Sequence, residues 1–171
     1  MNKNSLQNWF QLSDQDRTEI LIAVARQKDL PISAIEKDWW VVQTLSIIFS
    51  MKYADVLVFK GGTSLSKGWN LIQRFSEDID LALDREFLGF TGELSKSDIK
   101  RLRRKSYQFI TEIFTEELKN KFAELGFENV TIKYREVENH DQDPLIIEIY
   151  YPTQTANDSY LKPAVLVEVG S

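Results

Sequence analysis

The chain has 171 residues and a mass of 19.9 kDa, the size of one domain, and its 43% hydrophobic and 12% aromatic content suffices for a sizeable core. The absence of cysteine excludes disulfides and thiolate metal sites and makes a reducing interior, the cytoplasm, the expected compartment. The formal charge of −5 argues against a surface coated in basic residues, no apolar core of signal length follows Met1-Asn2-Lys3-Asn4-Ser5, and no stretch approaches the roughly 20 apolar residues of a membrane span.

In chain order, Ile20, Leu21, Ala23, Val24 and Ala25 recur at helical spacing from Asp14 to Lys28, with Ser13 or Asp14 to cap the start. A second, longer and largely apolar helix is predicted after Pro31-Ile32-Ser33, through Ile35, Trp39, Trp40, Val42, Leu45, Ile47 and Ile48 to about Met51. Its tryptophans are expected in the core, where indoles supply buried area, rather than as stacking platforms. A strand at Val56-Leu57-Val58-Phe59, a glycine turn, a short helix and a second strand then occupy roughly Asp55 to Leu83. From about Ser97 to Gly126 a long amphipathic helix is expected, with Leu102, Tyr107, Phe109, Ile110, Ile113, Phe114, Leu118, Phe122 and Leu125 inward and Gly126 as its stop. Three strands finish the chain, 130–134, 145–151 and 164–169, with polar loops at 136–144 and 153–159. This order of helices, a strand-helix-strand unit, a helix and a group of strands indicates an α+β domain: one mixed sheet of about five strands flanked by helices, with helices first.

The chemistry concentrates in two places. In Lys60-Gly61-Gly62-Thr63-Ser64-Leu65-Ser66-Lys67 the glycines allow a tight turn and leave room for a ligand beside the backbone. Thr63 or Ser64 is placed to cap a short helix whose amides would face an anion such as phosphate. The turn fits neither the Walker pattern nor the dinucleotide fingerprint, and Gly62-Thr63-Ser64-Leu65-Ser66 fails the hydrolase nucleophile elbow, which requires a closing glycine. Downstream, Asp78-Ile79-Asp80-Leu81-Ala82-Leu83 alternates acid with apolar residue, so both aspartates share one strand face and the aliphatics share the other. Two carboxylates held so close call for a cation between them, and magnesium favours one or two carboxylates plus phosphate oxygens.

Two further features stand apart. Lys96, Lys100, Arg101, Arg103, Arg104 and Lys105, against the single acid Asp98, form a basic segment that is either a solvated helix face or a contact for a nucleic-acid backbone. His140, the sole histidine, lies in a polar loop and is expected at the surface.

The pairing of Lys60-Gly61-Gly62-Thr63-Ser64-Leu65 with Arg74-Phe75-Ser76-Glu77-Asp78-Ile79-Asp80 resembles the AbiEii/AbiGii toxin family of nucleotidyltransferases, a branch of the DNA polymerase β-like superfamily. Softer similarity continues through Ile149-Tyr150-Tyr151-Pro152 and Lys162 to Gly170. The resemblance implies a polymerase β-like nucleotidyltransferase domain over residues 1–171 that transfers a nucleotide from a nucleoside triphosphate to an acceptor. It makes Asp78 and Asp80 ligands of one or two magnesium ions and gives the triphosphate to Gly61, Gly62, Thr63 and Ser64, with Lys67 or Lys60 on phosphate. A third acid usually joins the pair from a neighbouring strand; Glu168 is the candidate, Glu148 its competitor. The resemblance further implies a toxin of a toxin-antitoxin or abortive-infection pair, with tRNA or another RNA as acceptor and a separately encoded antitoxin as partner. Members of the family carry a further helical part with a lysine and an Arg-Asp motif; nothing after Glu168 matches it, so the chain is read either as a fragment of a longer protein or as a shortened relative, and a non-catalytic nucleotide- or RNA-binding module is the alternative function. A metal-dependent phosphohydrolase using the same acids is the third reading.

Overall fold

Ser13 closes the amino end of the first helix, its hydroxyl oxygen accepting from the Asp16 amide at 3.1 Å. The computed structural model describes residues 8–71, 78–155 and 162–171. The predicted motif residues Arg74, Phe75, Ser76 and Glu77, the amino-terminal Met1 to Ser5, and the far part of the 153–159 loop lie outside the described residues.

Helix α1 (Asp14–Lys28) carries Asp14 and Asp16 in its first turn and Arg26 and Lys28 in its last, matching the helix dipole at both ends. Helix α2 (Ile32–Ile48) follows Pro31 and buries Trp40, Val41, Thr44, Ile47 and Ile48 along one stripe. At 100° per residue Val42 falls on the far side, 40% exposed, so its expected burial is corrected. Trp40 is in the core as expected and stacks on Tyr151 with ring centroids 4.8 Å apart.

Strand β1 (Leu57–Lys60) leads into a single helical turn, α3 (Gly61–Thr63), continued by a π-helical turn over Ser64–Gly68. Strand β2 (Asp78–Leu83) precedes the long helix, which has three parts: α4 (Lys96–Gln108), a π-helical segment Phe109–Phe114, and α5 (Thr115–Glu124). Ser95 and Asp98 form a reciprocal capping box at its start. Just past the π segment the Thr115 hydroxyl donates back to the Ile110 carbonyl at 2.7 Å. The wider turn shifts the helical phase by about one residue. Phe114 and Thr115 are therefore fully buried while Ile113, expected inward, is 43% exposed. The chain leaves the helix through Gly126, whose φ of +82° is left-handed.

Strands β3 (Thr131–Tyr134), β4 (Leu145–Tyr150) and β5 (Ala164–Gly170) complete one five-stranded sheet in the order β1-β2-β5-β4-β3. Only β2 and β5 are parallel; the other neighbours run antiparallel. Alternation sorts each strand: Ile79, Leu81, Leu83, Val165, Val167, Val169, Leu145, Ile147 and Ile149 face the core. There α2 and α5 pack against the sheet and α1 packs on α2. Each such aliphatic side chain removed from water contributes about 1.5–3 kcal/mol before entropy is counted. The opposite face holds half-exposed residues, among them Asp78, Asp80, Leu166, Glu168, Ile146 and Glu148.

Candidate active site

Because facing residues on neighbouring strands point to the same side, the register decides which polar groups meet. Lys60 lies opposite Asp80 across β1 and β2, and Asp80 lies opposite Glu168 across β2 and β5. Neighbouring strands are separated by about 4.8 Å, so lysine, aspartate and glutamate form one row. Asp78, two residues before Asp80, faces Leu166 and shares the same side. The three carboxyl groups that the sequence nominates thus sit half-buried on the face away from the core.

The glycine turn folds onto this row. Gly61 has a φ of +73°, and a β-carbon built on it would fall 2.6 Å from Cγ of Asp80 and overlap its Oδ2. Only a glycine gives the aspartate that place. Lys60 occupies the N-cap position of the turn, with no side-chain capping bond. Thr63 and Ser64, read from sequence as possible caps, instead lie inside the helical stretch and are buried. The Thr63 hydroxyl donates to the main-chain carbonyl of Asp78, which fixes the start of β2 against the turn. Thr63 contributes to the site through this anchoring, and Gly61 and Lys60 remain exposed at the rim.

Lys67 lies at the end of the turn with its ammonium 2.5 Å and 2.6 Å from the two carboxylate oxygens of Asp38 on α2. The structure therefore ties Lys67 to the helix layer and leaves Lys60 in line with Asp80. Asp38 was not singled out from sequence. Its signal was the charged triplet Glu36-Lys37-Asp38 inside an otherwise apolar helix. Glu36 and Lys37 are both buried, and Glu36 accepts from the hydroxyls of Thr153 and Thr155 and from the Gln154 amide at 2.6–2.9 Å.

The structure also separates the two glutamates. Glu148 is engaged by Arg135, whose guanidinium donates at 2.8 Å, and by the Tyr150 hydroxyl at 2.9 Å. The Arg135 hydrogen bond holds its carboxyl below the usual range. Glu168 sits between Asp80 and Ile146 in the sheet, within the electrostatic reach of Arg135. At the end of β5, Asp143 accepts from the Ser171 amide at 3.1 Å. Burial pushes its carboxyl up, opposed by that bond and by the charges of Arg103 and Lys60.

As the side chains stand, no three His, Asp or Glu groups among the described residues converge tightly enough to hold a metal ion by themselves. The donor set is nonetheless of the hard, all-oxygen kind that magnesium takes, which needs only one or two carboxylates when phosphate oxygens supply the rest. Asp78 and Asp80 meet that requirement. Nowhere among the described residues is a helix long and apolar enough to cross a membrane. His140 is exposed, as expected, and its ring stacks on Tyr107 with centroids 4.2 Å apart.

Comparison with curated proteins and with solved structures finds no match. A family model described as "Nucleotidyl transferase AbiEii toxin, Type IV TA system" matches residues 45–171, about three quarters of the chain. That span begins within α2 and takes in the glycine turn, the acid-bearing strand and every strand of the sheet. The chain belongs to the AbiEii family of nucleotidyl transferase toxins of type IV toxin-antitoxin systems.

Proposed function

We propose that this chain is a magnesium-dependent nucleotidyltransferase that moves a nucleotide from a nucleoside triphosphate to a hydroxyl of an RNA acceptor, tRNA being the leading class. In the cell it would act as a toxin countered by a separately encoded antitoxin. The observation that carries this reading is the row Lys60, Asp80 and Glu168 across three strands, with Gly61 folded against Asp80.

Asp78 and Asp80 would hold one or two magnesium ions. When bound, these ions neutralise phosphate charge and act as a Lewis acid on the phosphoryl oxygens. The amides of Gly61 and Gly62 would meet the triphosphate, where the missing side chain of Gly61 permits close approach, while buried Thr63 and Ser64, the Ser64 amide bonded to the Gly61 carbonyl, would hold the turn that presents them. Lys60 offers a cation beside Asp80 for the departing phosphates. Lys67 would serve indirectly, keeping the turn in place through Asp38. In the transfer itself the acceptor hydroxyl oxygen bonds to the α-phosphorus, the bond to pyrophosphate breaks in line, and the hydroxyl proton passes to a carboxylate of this wall. Glu168 would complete that wall from β5, where its register opposite Asp80 supports the role.

Asp78→Asn and Asp80→Asn remove charge at nearly constant shape. Each should reduce labelled-nucleotide transfer to RNA by at least about a hundredfold, since the charge stabilisation lost is worth roughly 3 kcal/mol or more, while the thermal transition stays close to that of the parent protein. Transfer at the parental rate in either variant would refute the assignment, and release of free phosphate without labelled RNA would replace transfer by hydrolysis.

A further inference from the structure

The basic segment that sequence alone left between two readings is divided by the structure into two sets. Arg101 pairs with Asp98, and its guanidinium lies 5.9 Å from the Phe90 ring. Lys105 donates to the Leu88 carbonyl at 3.1 Å and lies 5.3 Å from the same ring. These two cations fasten α4 to the loop after β2. The other four, Lys96, Lys100, Arg103 and Arg104, are exposed and form no ion pair with any carboxylate among the described residues. Their spacing of four, three and one places them on one helical face as a continuous stripe.

That stripe leads somewhere. Arg104 lines a groove of about 370 Å³ together with Tyr107, Gln108, Asn139, His140 and the acidic Glu138. Tyr107 and His140 stack nearly parallel, 9° between planes, and the His140 side chain is exposed. One helical step away, Arg103 lies close enough to Asp143 to act on its carboxyl, and Lys60 acts on the same group from the acid-bearing face. Asp143 in turn holds the Ser171 amide, three residues beyond Glu168. Asp143, in the polar loop that carries His140, therefore links that loop to the carboxyl end of β5, the strand of Glu168.

We infer that the exposed face of α4, Lys100, Arg103 and Arg104 with the His140–Tyr107 stack, is the track that holds a single-stranded segment of the RNA acceptor and delivers its end to Asp80. This rests on the reading that RNA is the acceptor. Phosphates suit the stripe because Arg and Lys neutralise them with release of counterions, and an unpaired base suits the stack because every base has a flat face to lay on an aromatic ring. An acidic protein segment would match the charges but would leave the stack without a role, and Glu138 in the groove, with Glu136 and Asp141 beside it, would disfavour it as much as they disfavour RNA.

The test uses the full chain and a fluorescently labelled single-stranded oligoribonucleotide, followed by anisotropy across a salt series. Four neutralised phosphates, one for each of the track's three cations and one for Lys96 at the start of the same stripe, give a slope of log affinity against log salt of about −3, at roughly 0.7 per cation for single strands. The triple variant Lys100→Gln, Arg103→Gln, Arg104→Gln should bind at least about tenfold more weakly and flatten the slope by about 2. His140→Ala should weaken binding several-fold and leave the slope unchanged, because stacking carries no counterion. Parental affinity and slope in the triple variant would overturn the track, and so would equal competition by polyglutamate. Asp80→Asn should bind the RNA normally while failing to transfer. If the triple variant binds normally and Asp80→Asn is inactive, the track fails and the transferase reading stands; if Asp80→Asn transfers at the parental rate, the assignment of Asp80 fails and delivery to it falls with it, whatever the triple variant binds.

Discussion

The carboxyl group of Asp80 occupies the place where a side chain on Gly61 would be: a β-carbon there would lie 2.6 Å from Cγ and 3.0 Å from Cβ of the aspartate. The contact joins the end of β1 to the middle of β2, so the turn and the acid are set by one another. Glycine satisfies both demands of this point, no Cβ beside Asp80 and a backbone at φ +73°.

Gly61→Ala meets both obstacles, the left-handed backbone and the clash with Asp80. It should cost about 2–4 kcal/mol in unfolding free energy, combining about 1–2 kcal/mol of backbone strain with displacement of a packed group, and should lower transfer activity strongly. Gly92→Ala is the control: its φ is +67°, yet nothing lies within 4 Å of the added carbon, so only the strain of about 1–2 kcal/mol applies. Equal losses in denaturant titration would show that the contact with Asp80 is unimportant.

Glu168 and Glu148 carry the same functional group on neighbouring strands and should respond in opposite ways. Glu168→Gln should reduce nucleotide transfer by at least tenfold with little change in stability. Glu148→Gln weakens the bonds from Arg135 and Tyr150, costing about 1 kcal/mol for a partly shielded pair, while activity stays near the parental level. Single-turnover transfer and thermal melts on the two variants decide the matter, and a reversed pattern would move the third acid to Glu148.

The ion pair between Lys67 and Asp38 links the glycine turn to α2. Asp38→Ala and Lys67→Ala should each cost about 0.5–1 kcal/mol and raise the KM for the triphosphate by loosening the turn. The reversed pair Asp38→Lys with Lys67→Asp should recover stability. Recovery of stability together with KM assigns Lys67 a purely anchoring role; recovery of stability alone means that its ammonium also meets phosphate.

Acid should expose the Arg135–Glu148 pair. The folded Glu148 carboxyl titrates below its ordinary value because Arg135 donates to its charged form. Its contribution is therefore complete above the ordinary carboxylate range and is lost as pH falls through the lower folded value. The parent protein should lose stability more steeply on acidification than Glu148→Gln, with the difference between their unfolding free energies shrinking as the pH drops. A difference that stays constant with pH would assign the stabilisation to packing.

The resemblance read from two short motifs agrees with the family match, but half of the second motif, Arg74 to Glu77, lies outside the described residues, so the structural account rests on Asp78 and Asp80. Local pattern was sufficient for much of the chain. The alternation in Asp78 to Leu83 determined which side chains share a face, because a strand has a period of two whatever surrounds it. Ser13 and Gly126 marked helix ends through their own chemistry. Ile113 was misplaced because a π turn breaks the period of 3.6 on which the reading depended. Which strand lies beside which was not legible, since the pairing of Asp80 with Glu168 joins residues far apart in sequence and is decided by how the whole sheet packs beneath α2 and α5. The same tertiary packing sent Lys67 to Asp38, gave Glu148 to Arg135, and divided one basic run into cations that fasten a loop and cations that face solvent. Periodicity specifies the side of an element on which a group stands; only the assembled layers specify its neighbour.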